Sequence, residues 1–287
     1  MTAHVSTSTS NNDGPHVDQY RRAARLIAAA DGLLIAAGAG MGVDSGLPDF
    51  RGAAGFWAAY PALGRARLQF SDIANLGAFT LDPVLGWGFY GHRLQLYRRT
   101  VPHAGFGLLS EFGERLERGA FVFTSNVDGA FQKAGFPADR IVECHGSIHH
   151  LQCSENCTDT IWSANDFVPQ VDQDECRLLS ALPLCSRCGA AARPNILMFS
   201  DWGWIAHRTE LQQARLDNWL RQVKRLAVIE IGAGMMIPTV RDFTESLAMT
   251  VIRINPQLGH DDDSNEITLR ATAISGIRAI ARQLRRD

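Results

Sequence analysis

The apolar run Leu33-Leu34-Ile35-Ala36-Ala37 stops at Gly38-Ala39-Gly40, and that junction constrains the fold more than any other stretch of the chain. The run is too short for a helix and is bounded by glycines, so it reads as a strand buried on both faces in a parallel sheet. Glycines directly after such a strand let the backbone turn sharply and bring bare N–H groups against a pyrophosphate. This is half of a dinucleotide-binding fingerprint. The third glycine of G-x-G-x-x-G falls instead on Val43, and the acidic residue expected roughly 20 positions on is replaced by Trp57-Ala58-Ala59-Tyr60. A hydride-transferring dehydrogenase is therefore disfavoured.

Where a dehydrogenase would run straight into a helix, this chain places Ser45 through Gly52, with Asp49, Phe50 and Arg51 inside the segment. A carboxylate, an aromatic cover and a guanidinium suit a reaction at the nicotinamide ribose. The plainer reading is a surface loop punctuated by Pro48 and Asp49.

Alternation continues along the chain. Val17 to Ala30 has helical apolar spacing, while Ala120-Phe121-Val122-Phe123, Ile141-Val142-Glu143-Cys144, Leu226 to Ile231 and Thr250 to Ile254 read as strands. The pattern predicts a doubly wound α/β fold with a parallel, Rossmann-like sheet. Its polar residues fall just after strand ends, where such sheets bind ligands. Thr124-Ser125-Asn126-Val127-Asp128 follows one strand, His145-Gly146 the next, Gly232-Ala233-Gly234 another and Asn255-Pro256 the last. His145 is the best candidate for a general base, since an imidazole near neutrality can take a proton from a ribose hydroxyl. Cys144 beside it points to the opposite face of the strand and reads as an inert buried thiol.

A net charge of −2 gives no reason to expect nucleic acid as a partner, and no apolar run approaches the roughly 20 residues of a membrane span. Residues 1–16 lack the apolar core of a signal peptide and read as a disordered tail. The expected setting is cytoplasmic. In a reducing compartment the six cysteines are ligands or buried thiols rather than disulfides. Cys153-x3-Cys157 and Cys185-x2-Cys188 form two close pairs that let four thiolates converge on one structural Zn2+. The acidic stretch between them, Thr158 to Leu184, is longer than the roughly 15 to 20 residues usual in such modules. It holds Cys176, read as free, and His149 and His150 precede the first pair without being needed to fill the shell.

GAGMGVDSGLPDFRG, TSNVDGAFQKAG, ECHGSIHHLQC, the two cysteine pairs and an IGAG turn followed by a strand ending in Ile254-Asn255 occur in that order. In these motifs the chain resembles the sirtuins, NAD-dependent protein deacylases, over roughly residues 18 to 285. The resemblance implies NAD as co-substrate and acylated protein lysines as partners, with products free lysine, nicotinamide and O-acyl-ADP-ribose. It assigns catalysis to His145, Asn126 and Asp128. Ala37, Gly38, Ala39, Asp49, Phe50 and Arg51 would hold the pyrophosphate and nicotinamide side; Ser125, Asn126, Val127 and Asp128 the ribose and carboxamide; Gly232, Ala233 and Asn255 the adenosine half. The acyl-peptide would add as a strand against Gly234-Met235-Met236 and Phe199-Ser200-Asp201.

The implied domain plan is a tail (1–16), a Rossmann-like NAD-binding domain (17–52, 101–150 and 191–287), the helical part of a small domain (53–100) and a zinc-binding module (151–190). Tyr90 and Arg93 look like the Tyr-x-x-Arg element of sirtuins that prefer malonyl and succinyl lysine; alternatively they are two ordinary neighbours on one helix face. The chain departs from the family pattern at Gly42 (usually Ser), Ser125 (Gln), Gln132 (His) and Gly232-Ala233-Gly234 (Gly-Thr-Ser). Protein ADP-ribosylation or NAD hydrolysis on the same scaffold is the alternative activity.

Overall fold

The computed structural model describes residues 15–48, 52–258 and 266–286. Asp49, Phe50 and Arg51, assigned above to the nicotinamide side, lie outside the described residues, as do residues 1–14 of the expected tail.

In chain order the strands are β1 (Gly32–Ala37), β2 (Ala120–Thr124), β3 (Ile141–Glu143), β4 (Gly146–Cys153), β5 (Trp162–Ser163), β6 (Val171–Asp172), β7 (Arg177–Leu178), β8 (Ala192–Ile196), β9 (Leu226–Ile231), β10 (Val251–Ile254) and β11 (Glu266–Leu269). β1 is buried along its whole length, and its side chains alternate between two cores. Leu33, Ile35 and Ala37 face the core completed by Ala23, Ile27, Phe106, Leu109 and Ile277. Leu34 and Ala36 face the core of Leu216, Trp219 and Val240. Helices Pro15–Ala28, Gly105–Glu114 and Ala273–Leu284 thus cover one face, and His207–Leu220 and Thr239–Ser246 the other. A parallel strand apolar on both faces requires this double cover.

The large sheet is entirely parallel, in the order β11-β10-β9-β1-β2-β3. Counting only its own six strands, this is the 3-2-1-4-5-6 order of dinucleotide-binding folds, with the reversal between β1 and β9. The first helix runs from Pro15 to Ala28 rather than from Val17 to Ala30; Asp18 lies in its first turn, where a carboxylate favours the helix dipole. β11 is absent from the strands read in the sequence, because Glu266-Ile267-Thr268-Leu269 is a short edge strand with only alternate residues buried.

Two charged residues inside apolar strands explain each other. Arg253 on β10 is the direct cross-strand neighbour of Glu230 on β9 and pairs with it in the interior. Burying either ion alone would cost several kcal/mol, on the order given by ion desolvation.

A second body is built from β4, β5 and β8 and the helices between β1 and β2. β4 and β8 are antiparallel, and Gly146 at the start of β4 has φ +76°, where a Cβ would run into the Asn195 backbone. The strand therefore crosses the boundary expected at residue 150: Gly146 and Ser147 pair with β8 and His150 with β5, in this smaller sheet and not in the large one. Trp87, Phe89, Phe79 and Ile148 share one core with Leu151 and Cys176, and the Trp87 indole donates to the Ala192 carbonyl at 2.8 Å. The helical segment and the cysteine-bearing segment are packed as one unit.

Candidate functional site

The crevice at the β1/β9 reversal is assembled from strand ends whose carbonyls are held by backbone and side-chain donors of neighbouring strand ends. The Ala37 carbonyl accepts from Ser125 N–H (3.2 Å) and from the Thr124 hydroxyl (2.9 Å). Asn126 Nδ2 donates to the Gly38 carbonyl at 3.0 Å, Gly40 N–H to Gly232 at 3.0 Å, and Asn255 Nδ2 to Ala233 at 2.9 Å. Ala37, Gly38, Ser125, Asn126, Gly232, Ala233 and Asn255 are thereby brought to one edge of the sheet.

The glycines are required for a reason other than a sharp turn. Neither Gly38 nor Gly40 has a positive φ. A Cβ on Gly38 would sit 2.7 Å from the Gly232 oxygen and 2.8 Å from the Ala233 Cα, and one on Gly40 would sit 2.7 Å from the Gly232 Cα. The two loops touch backbone to backbone, so nothing flexible can yield. Gly38→Ala is expected to cost ~1–3 kcal/mol of stability and to weaken NAD binding together with it. Thermal melting and NAD titration of that variant check this, and unchanged values for both would refute the close-approach argument.

Gly42, where the family usually has Ser, has a local explanation. Its carbonyl accepts from Ser45 and Leu47 N–H groups, and a Cβ there would lie 3.0 Å from the Leu47 side chain. The loop is also tied by His103, whose Nε2 lies 3.0 Å from the Met41 carbonyl while its Nδ1 accepts from Gly105 N–H. Those partners set the tautomer: hydrogen on Nε2, lone pair on Nδ1. His103 N–H bonds the Ser45 hydroxyl, and Asp44 accepts from Ile274 N–H at the start of the last helix.

On the facing loop, the Asp128 carboxylate accepts from Ala130 N–H at 2.9 Å, and its carbonyl is 2.8 Å from His149 Nε2. Burial, opposed by that N–H and reinforced by nearby Glu143, pushes the Asp128 carboxyl up to about 6. Val127 is buried in the smaller core, its carbonyl bonded to Ile148 N–H. His145 sits just beyond β3, Nε2 3.2 Å from the Thr239 hydroxyl, with the Ser125 carbonyl also in reach. Burial holds its pKa below 6.5, so the ring is neutral at pH 7. Burial raises the Cys144 thiol to about 12, which makes it inert as the sequence suggested.

The remaining sequence-predicted residues are placed as follows. Tyr90 and Arg93 share a face of the helix Pro83–Arg99 and are both buried, Tyr90 among Phe79 and Phe89, Arg93 over the Phe70, Phe89 and Tyr97 rings and bonded to the Tyr97 hydroxyl. Met235 is 73% exposed and Phe199 38% exposed, with the Phe199 N–H bonded to Ala74, and Gly234 has open space where a Cβ would stand. Asp201, expected beside Phe199 at the peptide edge, instead forms a fully buried ion pair with Arg193 at 2.7 Å. Two buried opposite charges hold each other, so Asp201 is a structural residue here. His103 and Thr239 escaped sequence reading because their partners lie far along the chain.

The four cysteines meet. Their sulfurs all lie within 4.8 Å of one another, with Cys153–Cys188 and Cys157–Cys185 at 3.6 Å. A tetrahedron with Zn–S bonds of about 2.3 Å has edges of about 3.8 Å, so the set fits one zinc ion. Backbone N–H groups of Cys188 and Arg187 point at the Cys185 sulfur and bring its pKa down to about 6, as a thiolate ligand needs. Cys176 is buried in the smaller core away from this cluster, and Cys153, Cys157, Cys185 and Cys188 complete it without His149 or His150.

Residues 38–223, which include the glycine junction, the loops after β2 and β3 and the cysteine cluster, match the model of the Sir2 family. The chain belongs to the Sir2 family. Among the relatives of this Sir2 protein are the dog NAD-dependent protein deacylase sirtuin-5, mitochondrial (Canis lupus familiaris), and an NAD-dependent protein deacylase of Pyrococcus abyssi. The first is 30% identical over 191 residues, covering 62% of this chain and 58% of that protein. The second is 26% identical over 267 residues, covering 92% and 97%. The chain spans less than two thirds of the dog protein, and of a Pyrococcus furiosus deacylase, 64%. A solved Sir2 homolog–NAD complex superposes with a TM-score of 0.68 at 22% identity, covering 92% of this chain and 93% of that one. At that identity the likeness speaks for the fold.

Proposed function

We propose that this Sir2 protein removes acyl groups from protein lysine with NAD as co-substrate, releasing nicotinamide and O-acyl-ADP-ribose. The observation that carries the reading is a half-buried, neutral His145 beyond β3, beside the Thr239 hydroxyl and at the same sheet edge as Asn126 and Asp128. NAD supplies the ribose carbon that takes the acyl oxygen as nicotinamide leaves. His145 then accepts a proton from a ribose hydroxyl at Nε2, where that hydroxyl takes the place of the Thr239 hydroxyl while the other ring nitrogen donates to the Ser125 carbonyl. Asn126 orients the ribose, and Asp128 and Val127 bind the carboxamide. The names of the relatives support this chemistry over ADP-ribosyl transfer or plain NAD hydrolysis.

The test is incubation of the purified protein with NAD and acetyl-, succinyl- and longer acyl-lysine peptides, with mass spectrometry for O-acyl-ADP-ribose. Nicotinamide release without any acyl product would leave an NAD glycohydrolase instead.

For the acyl group, Tyr90 and Arg93 support a chain ending in carboxylate. Arg93 is a buried cation, and low dielectric strengthens its attraction for a negative group. Arg93→Met is expected to reduce succinyl-peptide turnover about 10- to 100-fold, the range for a lost charge-assisted hydrogen bond, and to spare acetyl-peptide turnover. Equal losses on both peptides would make Arg93 a packing residue only.

A further inference from the structure

A cleft of about 980 Å³ opens between the small sheet and the helix His207–Leu220, and no residue of the glycine junction lines it. Asp128 and Gly129 line it, so it reaches the loop after β2. Four permanent cations share its walls: Arg98, Lys133, Arg208 and Arg215.

Their charges are poorly neutralised. Arg98 spends its guanidinium on the carbonyls of Phe167 and Ala164, and Lys133 its ammonium on those of Arg98 and Thr100. Among the described residues neither they nor Arg215 form an ion pair with a carboxylate; Arg208 pairs with buried Glu143. Against these stand Asp128, whose pKa is raised, and exposed Asp159.

Three further observations point the same way. The helix His207–Leu220 begins at the cleft with no side chain capping its first N–H groups, which leaves donors and the positive end of the dipole there. A bulge between Ser147 and Leu151 lets consecutive residues His149 and His150 both line the wall. Arg208 Nη1, enclosed within the wall, has no hydrogen-bond partner, so among the described residues the Arg208 guanidinium is balanced by Glu143 alone.

We propose that this cleft binds a phosphoryl dianion, either free phosphate or the phosphate group of a small ester, between Lys133, Arg215 and the start of the His207–Leu220 helix. The ligand is held by charge-assisted bonds from Lys133, which the fold otherwise sets against carbonyl oxygens, and from exposed Arg215. None of the groups that hold the phosphoryl group is assigned to NAD, although Asp128 borders both clefts, and the site stands whether or not the protein is a deacylase.

Calorimetric titration of the full chain with inorganic phosphate, and in a second arm with glycerol phosphate, at constant ionic strength set with chloride, tests this. Saturable binding of at least one is expected, and saturating NAD should not displace it. Tighter glycerol phosphate than phosphate would identify an ester as the ligand, and the reverse would identify the free ion. Lys133→Gln/Arg215→Gln should bind about tenfold more weakly, two partly exposed pairs being lost. The control Arg221→Gln/Arg270→Gln, with the same change in net charge elsewhere, should bind as wild type. No saturable binding, displacement by NAD, or equal weakening in both double variants would overturn the proposal; melting temperature confirms that each variant is folded.

Discussion

His145→Ala is expected to lower acyl-lysine turnover by about 10²- to 10⁴-fold, the range general-base catalysis contributes. The loss should be selective. Cleavage of nicotinamide from NAD needs no base, so exchange of labelled nicotinamide into NAD should persist at a substantial fraction of the wild-type rate while product formation collapses. If both fall together, His145 organises the crevice and does not act as the base.

The same residue sets the acid limb of the rate profile. A base works only when unprotonated, and burial holds the His145 pKa below 6.5. Activity should therefore be full at pH 7 and decline as the pH falls through that lowered value. Asp128 titrates in a neighbouring range, near 6, because its folded pKa is raised. The sign for stability is opposite to that of a salt-bridged carboxylate: ionising Asp128 in the fold is a cost present above about 6, relieved as the pH falls towards its ordinary value. Comparing the profiles of wild type and Asp128→Asn separates the two titrations, since the amide keeps the Ala130 bond and cannot ionise.

Removing the zinc is the second large effect. Cys185→Ser, or chelation of the wild type, should abolish a stoichiometric metal content and lower the melting temperature by about 10 °C. Structural zinc in small peptides contributes ~10–16 kcal/mol, and a third of that produces such a shift in a chain this long. Deacylation should fail as well, because the smaller core includes Val127 of the loop after β2, which the proposed function uses, together with Ile148 and Leu151 of the strand that ends in Cys153. Cys176→Ser serves as the contrast: it changes a buried thiol outside the sulfur cluster and should retain metal. A Cys185→Ser protein that melts and turns over as wild type would rule out a structural metal.

Much of the site was legible beforehand because it is written in short runs. A strand that ends in glycine, a polar residue after each strand and two close cysteine pairs are local patterns, each with a local physical cause. Even the buried pair Arg253–Glu230 left a trace, as opposite charges in two otherwise apolar strands. Asp201 left none. Its sequence neighbours Phe199 and Ser200 suggest a loop edge, and only the position of Arg193 on β8 turns its carboxylate inward. The same holds for β11, whose four residues become a strand only because β10 offers an edge to pair with.

The sequence by itself determined that the chain would form a parallel α/β sheet with ligand residues at its strand ends and a four-cysteine metal module, since these follow from periodicity, turn chemistry and ligand spacing. Only the tertiary structure decided why Gly38 and Gly40 tolerate no Cβ, which hydroxyl faces His145, and that helix His207–Leu220 and strand β4 enclose a cationic cleft beside Asp128. Gly232, Thr239 and Arg215 lie far along the chain from Gly38, His145 and Asp128, and distances between such partners are set by how two cores pack against one sheet. No local rule in the sequence encodes that packing.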